Sequence, residues 1–477
     1  MDFTIRIGLE VHIQLNTTTK LFSPEPYVFG QEPNYYIDPV TVGLPGTLPS
    51  INQKALDLAI TLALATNCEI NRQIFFDRKN YFYPDLPKGF QITQKSKPLG
   101  INGELAFMNH KNQIQKIGIT QVHIEEDSAK SNYNMNQRFI DYNRAGVPLM
   151  EVVTSPELSS PDEAAAFLEY LRILVKETDI NNGKMEEGAI RCDANISVTN
   201  FNTKKQHNEI KNLNSVNELK TALKLEIQRQ KKEFLSNTFK RGYTLSFTSR
   251  LKRNLFSREK EKPSDYAYIT EPDILPLIIS EESIKRLENN LHELPAERFQ
   301  RALAQYGLKN EQAWTICVNR DLFAFFEALN PEISNKQELI HFLLGPFKSL
   351  KNTETEIYFH HQWLKANLVS LINMITEREI TRETAYQNIW PKLLNSENKT
   401  TFDIAKENDW LISNNDAKLL EIIKKIILDY PEEINKYRKG KLKIVGFFMG
   451  QIMKKTKNRF LPQKVKMLLL EELNKYK

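Results

Sequence analysis

The sequence predicts an α+β protein: a mixed helix-and-strand region over residues 1–290, followed by helices to the end. Three observations predict it. Apolar and polar residues alternate with period two in several early segments, the mark of half-buried strands. Turn signals such as Leu44-Pro45-Gly46 and Pro84-Asp85-Leu86-Pro87 cut the first region into short pieces. From Glu282 onward Leu, Lys and Glu at helical spacing dominate and strand signals fade.

The first strand covers Phe3–Leu15, where Ile5, Ile7, Leu9, Val11, Ile13 and Leu15 alternate with Arg6, Gly8, Glu10, His12 and Gln14. Further strands are predicted over Gly118–Ile124, Met150–Thr154 and Ala189–Val198. An Ala- and Leu-rich helix is predicted over about Gln53–Thr66. A second helix starts at Ser160-Pro161-Asp162-Glu163: Ser160 suits the N-cap, Pro161 the first helical position, and Glu163 completes a capping box. Ala164, Phe167, Leu168, Leu171, Leu174 and Val175 give that helix one apolar stripe. A third helix covers about Ser215–Phe234. Residues 240–275 look least regular, with Arg250, Lys252, Arg253, Arg258, Lys260 and Lys262 in one cluster and an extended stretch over Asp265–Pro276. Breaks at Leu294-Pro295 and near Asn395–Thr401 predict three domains, 1–293, 294–407 and 408–477.

A length of 477 residues agrees with about three domains. At 41% apolar and 26% charged residues the chain resembles an ordinary soluble protein. The three cysteines, Cys68, Cys192 and Cys317, are too scattered for a disulfide framework or a zinc knuckle. The first 25 residues have no apolar core of a secretory signal, and the longest apolar runs fall far below the ~18 residues that span a bilayer. A soluble cytoplasmic protein with no membrane partner is expected.

Charge is unevenly spread. Residues 430–477 hold 13 Lys/Arg against four Asp/Glu, a net +9, which leaves −3 on the rest of a chain of net charge +6. A basic tail on a near-neutral body suits a polyanion partner, since Lys and Arg release counterions from phosphates. A solvated helical surface gives the same pattern.

Glu10-x-His12 places a carboxylate and an imidazole on one face of the first strand. Alone, such a pair is better read as a surface salt bridge. It is not alone. His123-Ile124-Glu125-Glu126-Asp127 follows a second strand, Glu151 interrupts the apolar run Met150–Val153, and Asp193 and Asn195 lie two apart in Arg191-Cys192-Asp193-Ala194-Asn195. Carboxylates in apolar strands are expensive unless paired or metal-bound, and several in one domain point to Mg²⁺, which prefers oxygen ligands and bridges substrate phosphates. On a regular strand only one of Glu125 and Glu126 faces such a site. The run Phe76–Gly89 adds Lys79 and Lys88, fit to neutralise phosphate or line a polar path, and aromatics including Tyr81 that stack on a base or pack. No P-loop, no G-x-G-x-x-G and no G-x-S-x-G is present, nor any Ser, Lys or Cys arrangement of an amide hydrolase.

Taken together, IGLEVHIQL at Ile7–Leu15, LPGTLP at Leu44–Pro49, Phe76–Gln94, Ile124–Ser131, DYNRAGVPLME at Asp141–Glu151, MEEGAIRCDANISV at Met185–Val198, EIKNLNS at Glu209–Ser215 and the tail run Gly446–Lys454 resemble the B subunit of the bacterial aspartyl/glutamyl-tRNA(Asn/Gln) amidotransferases, in order and over the whole chain. The resemblance implies a cradle of antiparallel strands flanked by helices, then an all-α helical domain and a small helical tail that contacts tRNA. It implies a heterotrimer whose other members are an amidase, the A component, and a small C component. It implies an ATP- and Mg²⁺-dependent ligase acting on tRNA(Gln) or tRNA(Asn) misacylated with Glu or Asp. The side-chain carboxylate is phosphorylated, and ammonia from the amidase displaces the phosphate.

By resemblance, Glu10, His12, Glu125 and Glu126 are the expected metal ligands and, with Lys79 and Lys88, the expected catalytic residues. Glu151, Asp193, Asn195, Lys79 and Tyr81 are expected at the nucleotide. Lys79, Tyr81, Lys88 and one of Glu125 and Glu126 are expected along the ammonia path, and Lys441, Lys443, Lys454, Lys455 and Lys457 at tRNA phosphates. A non-catalytic tRNA-binding scaffold in the same complex is the alternative. The chain departs from the family in three places. Lys20–Tyr36 lacks the cysteines that hold zinc in some members, so zinc is not expected. The DYRYFPEPD motif appears as Asp265–Asp273, DYAYITEPD, after an altered Thr248-Ser249-Arg250. The tail run Lys457–Pro462 lacks a usual glycine.

Overall fold

The computed structural model describes residues 3–134, 137–199, 207–236, 238, 242–259, 266–350, 359, 361–396, 399–413, 415–438, 441 and 443–476. The chain forms two compact units, Met1–Arg301 and Ala302–Lys477.

The first unit is built on one nine-stranded sheet. Its strands are β1 (Thr4–Gln14), β2 (Glu69–Ile70), β3 (Gly100–Met108), β4 (Ile114–Glu126), β5 (Pro148–Thr154), β6 (Ile190–Thr199), β7 (Asn208–Leu213), β8 (Tyr243–Thr248) and β9 (Arg253–Glu259). Their spatial order is β2-β3-β4-β5-β1-β6-β7-β8-β9. Every neighbouring pair is antiparallel except β7 and β8. The mixed α+β architecture and its antiparallel sheet are those the sequence and the resemblance led one to expect.

The alternation in β1 decides its two faces. Ile7, Leu9, Val11 and Ile13 are at most 1% exposed, and burying each contributes on the order of 1.5–3 kcal/mol. On the same side of the sheet lie helices α2 (Pro161–Glu177) and α3 (Val216–Ser236), which pack on each other. The other face carries Gly8, Glu10 and His12 toward the site.

Helix α2 begins as predicted, with the Ser160 hydroxyl accepting from the Glu163 N–H. The return bond differs: the Glu163 carboxylate accepts from the Ser159 N–H at 2.8 Å instead of the Ser160 N–H, so the expected box closes one residue early.

Two stretches differ from the sequence expectation. β3 was not predicted, because Gly100, Asn102 and Gly103 look like turn residues. Asn102 takes φ +54° within the strand, a backbone conformation that asparagine tolerates better than most residues. Gly103 is required for another reason: a Cβ there would stand 2.4 Å from Cys68 Sγ and 2.6 Å from the Thr66 carbonyl, at the C-terminal end of helix α1 (Gln53–Ala65). The stretch expected to be least regular contains β8 and β9, whose alternation the dense positive charge obscured. Lys260, Lys262 and Asp265 lie outside the described residues.

A second, three-stranded sheet pairs Asp77–Asn80 with both Phe90–Thr93 and Ala267–Thr270. The second unit is helical throughout its described residues. Its last four helices, Asp416–Asp429, Pro431–Arg438, Ile444–Lys455 and Pro462–Asn474, close over a separate apolar cluster of Leu419, Ile423, Ile427, Phe448, Ile452, Val465, Leu469 and Leu473. Cys68, Cys192 and Cys317 are all buried.

Candidate active site

Antiparallel register turns separate sequence motifs into rows of side chains. Directly opposed residues share a face. His12 opposes Glu151 of β5 and Arg191 of β6, and Glu151 opposes His123 of β4. The result is one rung across four adjacent strands, His123–Glu151–His12–Arg191. A second rung sets Gln121, Val153, Glu10 and Asp193 side by side. Glu125, two residues beyond His123, lies on the same face.

Distances within the rung are short. His12 Nε2 is 3.3 Å from Glu151 and 3.7 Å from Glu125. His123 Nε2 is 3.4 Å from Glu151 and 3.7 Å from Glu125. One donor atom from each of His12, Glu125 and Glu151 lies within 4.8 Å of the others. Glu10 accepts from Asn195 Nδ2 at 2.7 Å, and Asp193 accepts from Lys211 Nζ at 3.1 Å. Lys211 also lies 3.2 Å from Glu209.

The electrostatics follow from burial and crowding. Burial, then the neighbouring Glu151, Glu209 and Asp193, push the Glu10 carboxyl above its ordinary value. Burial alone would lower His12, but Glu151 and Glu125 outweigh it and the imidazole is held above its usual range. The same contest lifts His123 to about 10. Glu151, buried between the two imidazoles, is held well below the usual carboxylate range despite its burial. The acids thus favour the protonated form of both imidazoles, and a bound cation would compete with that proton.

The sequence-predicted residues divide between two surroundings. Glu10, His12, Glu125, Glu151, Asp193 and Asn195 come together on one sheet face. A cavity of about 260 Å³ opens onto His12, Glu125, Glu151 and Asp193, and Lys79 and Tyr81 line it as well. Lys79 Nζ lies 4.7 Å from the Tyr266 ring and 5.4 Å from the Tyr81 ring, with no carboxylate in ion-pair range among the described residues. Glu126 points the other way. Its carboxylate is held by Lys88 Nζ at 2.6 Å and by the Ile92 N–H at 3.2 Å.

Sequence reasoning assigned no role to His123, Arg191, Glu209 or Lys211, which stand on the site face. A signal existed for two of them: His123 lies two residues from Glu125 and Arg191 two from Asp193, each in phase with it on a strand.

Residues 5–285 match the GatB/GatE catalytic domain family and residues 324–473 match the GatB domain family. The B subunit of the aspartyl/glutamyl-tRNA(Asn/Gln) amidotransferase of Pseudothermotoga lettingae is 38% identical, with 99% of this chain and all of that protein covered. Those of Oceanobacillus iheyensis and Clostridium botulinum are 36% and 35% identical, with 99% and 100% of this chain and all of each relative covered.

Proposed function

The chain belongs to the GatB/GatE family, and from that premise we propose the chemistry its site performs. Its role is that of the B subunit in a tRNA-dependent amidotransferase. In our reading it activates the side-chain carboxylate of Glu or Asp on a mischarged tRNA(Gln) or tRNA(Asn). The activating group is the terminal phosphoryl of ATP, and ammonia then forms the amide. The ammonia comes from an amidase partner, in a heterotrimer completed by a small third protein. A cytoplasmic setting goes with that reading, as does the three-domain division at residues 293 and 407, which the separate apolar cluster of the last four helices supports.

The observation that carries this reading is the placement of His12 between Glu125 and Glu151 at the floor of a polar cavity. A carboxylate is a poor acyl donor and must be activated. Phosphoryl transfer asks a protein mainly for positioning and for charges that offset the phosphates. Two carboxylates and one imidazole with mutually close donor atoms fit a hydrated divalent cation. When bound, magnesium would supply positive charge against the phosphates. His12, Glu125 and Glu151 would hold it, and Glu10 with Asn195 would border it. Lys79 faces the same cavity and Lys211 closes its β7 side, so both would screen the nucleotide's charge.

The ammonia path follows the aromatic and cationic side of the cavity, past Lys79 and Tyr81. The Lys88–Glu126 pair stands behind it. A scaffold without chemistry has no use for a desolvated row of Glu10, Glu125, Glu151 and Asp193, which only costs stability when idle.

The test uses the reconstituted heterotrimer with ATP, Mg²⁺ and Glu-tRNA(Gln). His12→Ala and Glu151→Gln are expected to lower amidation by about 10²-fold or more while glutaminase activity persists. Wild-type amidation in both variants would overturn the assignment.

A further inference from the structure

We infer that Arg191 is the side chain that grips the phosphoryl group being transferred, an assignment that rests on the function proposed above. Arg191 extends the rung His123–Glu151–His12 onto β6, so its Cα stands one strand spacing from His12, roughly 5 Å. It lines the same 260 Å³ cavity as His12, Glu125, Glu151 and Lys79.

Its hydrogen bonding is incomplete in a directed way. Nη2 donates to Asp127 at 2.6 Å, and that is its one hydrogen bond among the described residues. Nε has no acceptor although it is buried. A guanidinium carries five N–H donors in a fixed fork, so most of this one has no protein acceptor.

Lys79, in the same cavity, also has no carboxylate in range among the described residues but offers a single ammonium rather than a fork, and the other neighbouring cations are already held. Lys211 is held by both Asp193 and Glu209, Lys88 by Glu126, and Arg144 by the Ser128 and Ala129 carbonyls. Asp127 is itself fixed, 4% exposed and bound by Gln14 at 2.9 Å. Arg191 is therefore oriented by Asp127 through Nη2 and keeps N–H donors without a protein acceptor, on a residue that lines a cavity ringed by carboxylates. Those carboxylates would repel a triphosphate unless some fixed cation met it. A fork matches phosphate oxygens in two-point fashion, which a lysine cannot do.

In the step assisted, the bond between the terminal phosphorus and its bridging oxygen breaks. The bond from the substrate carboxylate oxygen to phosphorus forms, and the nucleoside diphosphate leaves with the electron pair. Arg191 gives and takes no proton; its charge offsets that of the equatorial oxygens.

The experiment uses the whole complex carrying Arg191→Ala or Arg191→Lys, with glutaminase activity as the control for folding. Arg191→Ala is expected to lower kcat for amidation by about 10²-fold. Arg191→Lys, which keeps the charge and lacks the fork, is expected to recover less than a tenth of the wild-type rate. Added guanidinium ion is expected to restore the alanine variant at least about tenfold and to leave His12→Ala unrestored. Kinetics within twofold of wild type in Arg191→Ala would overturn the inference. So would parallel loss of glutaminase and amidation in both variants without guanidinium rescue, which marks Arg191 as merely the structural partner of Asp127. In either case an inactive His12→Ala complex keeps the proposed function standing, whereas a fully active one removes both.

Discussion

Glu125 and Glu126, neighbours in the chain, send their carboxylates to opposite sides of the sheet: Glu125 stands 3.7 Å from His12 and Glu126 stands 2.6 Å from Lys88. The two acids therefore have separable duties. Glu125→Gln is expected to depress amidation with little change in stability. Glu126→Gln leaves the Lys88 ammonium, 10% exposed, without its counter-charge, and is expected to cost about 3–5 kcal/mol. Adding Lys88→Met should recover part of that loss. Urea unfolding beside amidation assays checks both, and an unchanged midpoint for Glu126→Gln would contradict the pairing.

Arg78 ties the two outer strands of the small sheet together. Its guanidinium meets Glu271 at 2.7 and 2.8 Å, reaches Asp273 at 3.0 Å, and lies 4.4 Å from the Phe90 ring centroid. Glu271, with a side chain 1% exposed, belongs to the retained end of the altered DYAYITEPD motif. Arg78→Ala strands that carboxylate and is expected to destabilise by about 3–5 kcal/mol. Arg78→Lys keeps the charge, loses the two-point grip and should fall between. Thermal unfolding of the two variants gives the order, and equal midpoints for all three proteins would refute it.

Lys20 offers a pH dependence of definite sign. Only 1% exposed, its ammonium donates to the Tyr36 carbonyl at 2.8 Å. Burial lowers its pKa to about 8, against the pull of Asp38, Glu25, Glu126 and Asp141. The unfolded lysine titrates near 10.5. Between these values the unfolded chain binds more protons, so this group raises stability as pH climbs from about 8 to 10.5, by up to about 3 kcal/mol. Lys20→Met should flatten that rise. The check is a urea midpoint series from pH 7.5 to 10; a slope retained in the variant assigns the effect elsewhere.

The basic tail makes an electrostatic prediction. Lys441, Lys443, Lys454, Lys455 and Lys457 are all exposed. If they meet phosphates, changing all five to Ala should weaken tRNA binding and reduce the slope of log affinity against log salt by as much as about 0.9 per lost contact. Filter binding at several salt concentrations measures it. An unaltered slope would place the tRNA on another surface.

The sequence by itself determined the class of the fold, the buried face of β1, the start of helix α2 and the in-phase placement of Glu10 with His12 and of Asp193 with Asn195. Each of these is written in local patterning: period two, helical spacing, or a cap beside a proline. It did not decide which of Glu125 and Glu126 faces His12, and it gave no role to Arg191 or His123. Those answers depend on register. Which residue of β5 opposes His12 and which residue of β6 flanks it are set by pairing between segments over a hundred residues apart, and no window of sequence contains both. Local chemistry chose the side chains; the sheet chose their neighbours, because only hydrogen-bonded strands bring acids and bases from four distant segments to within a few ångströms.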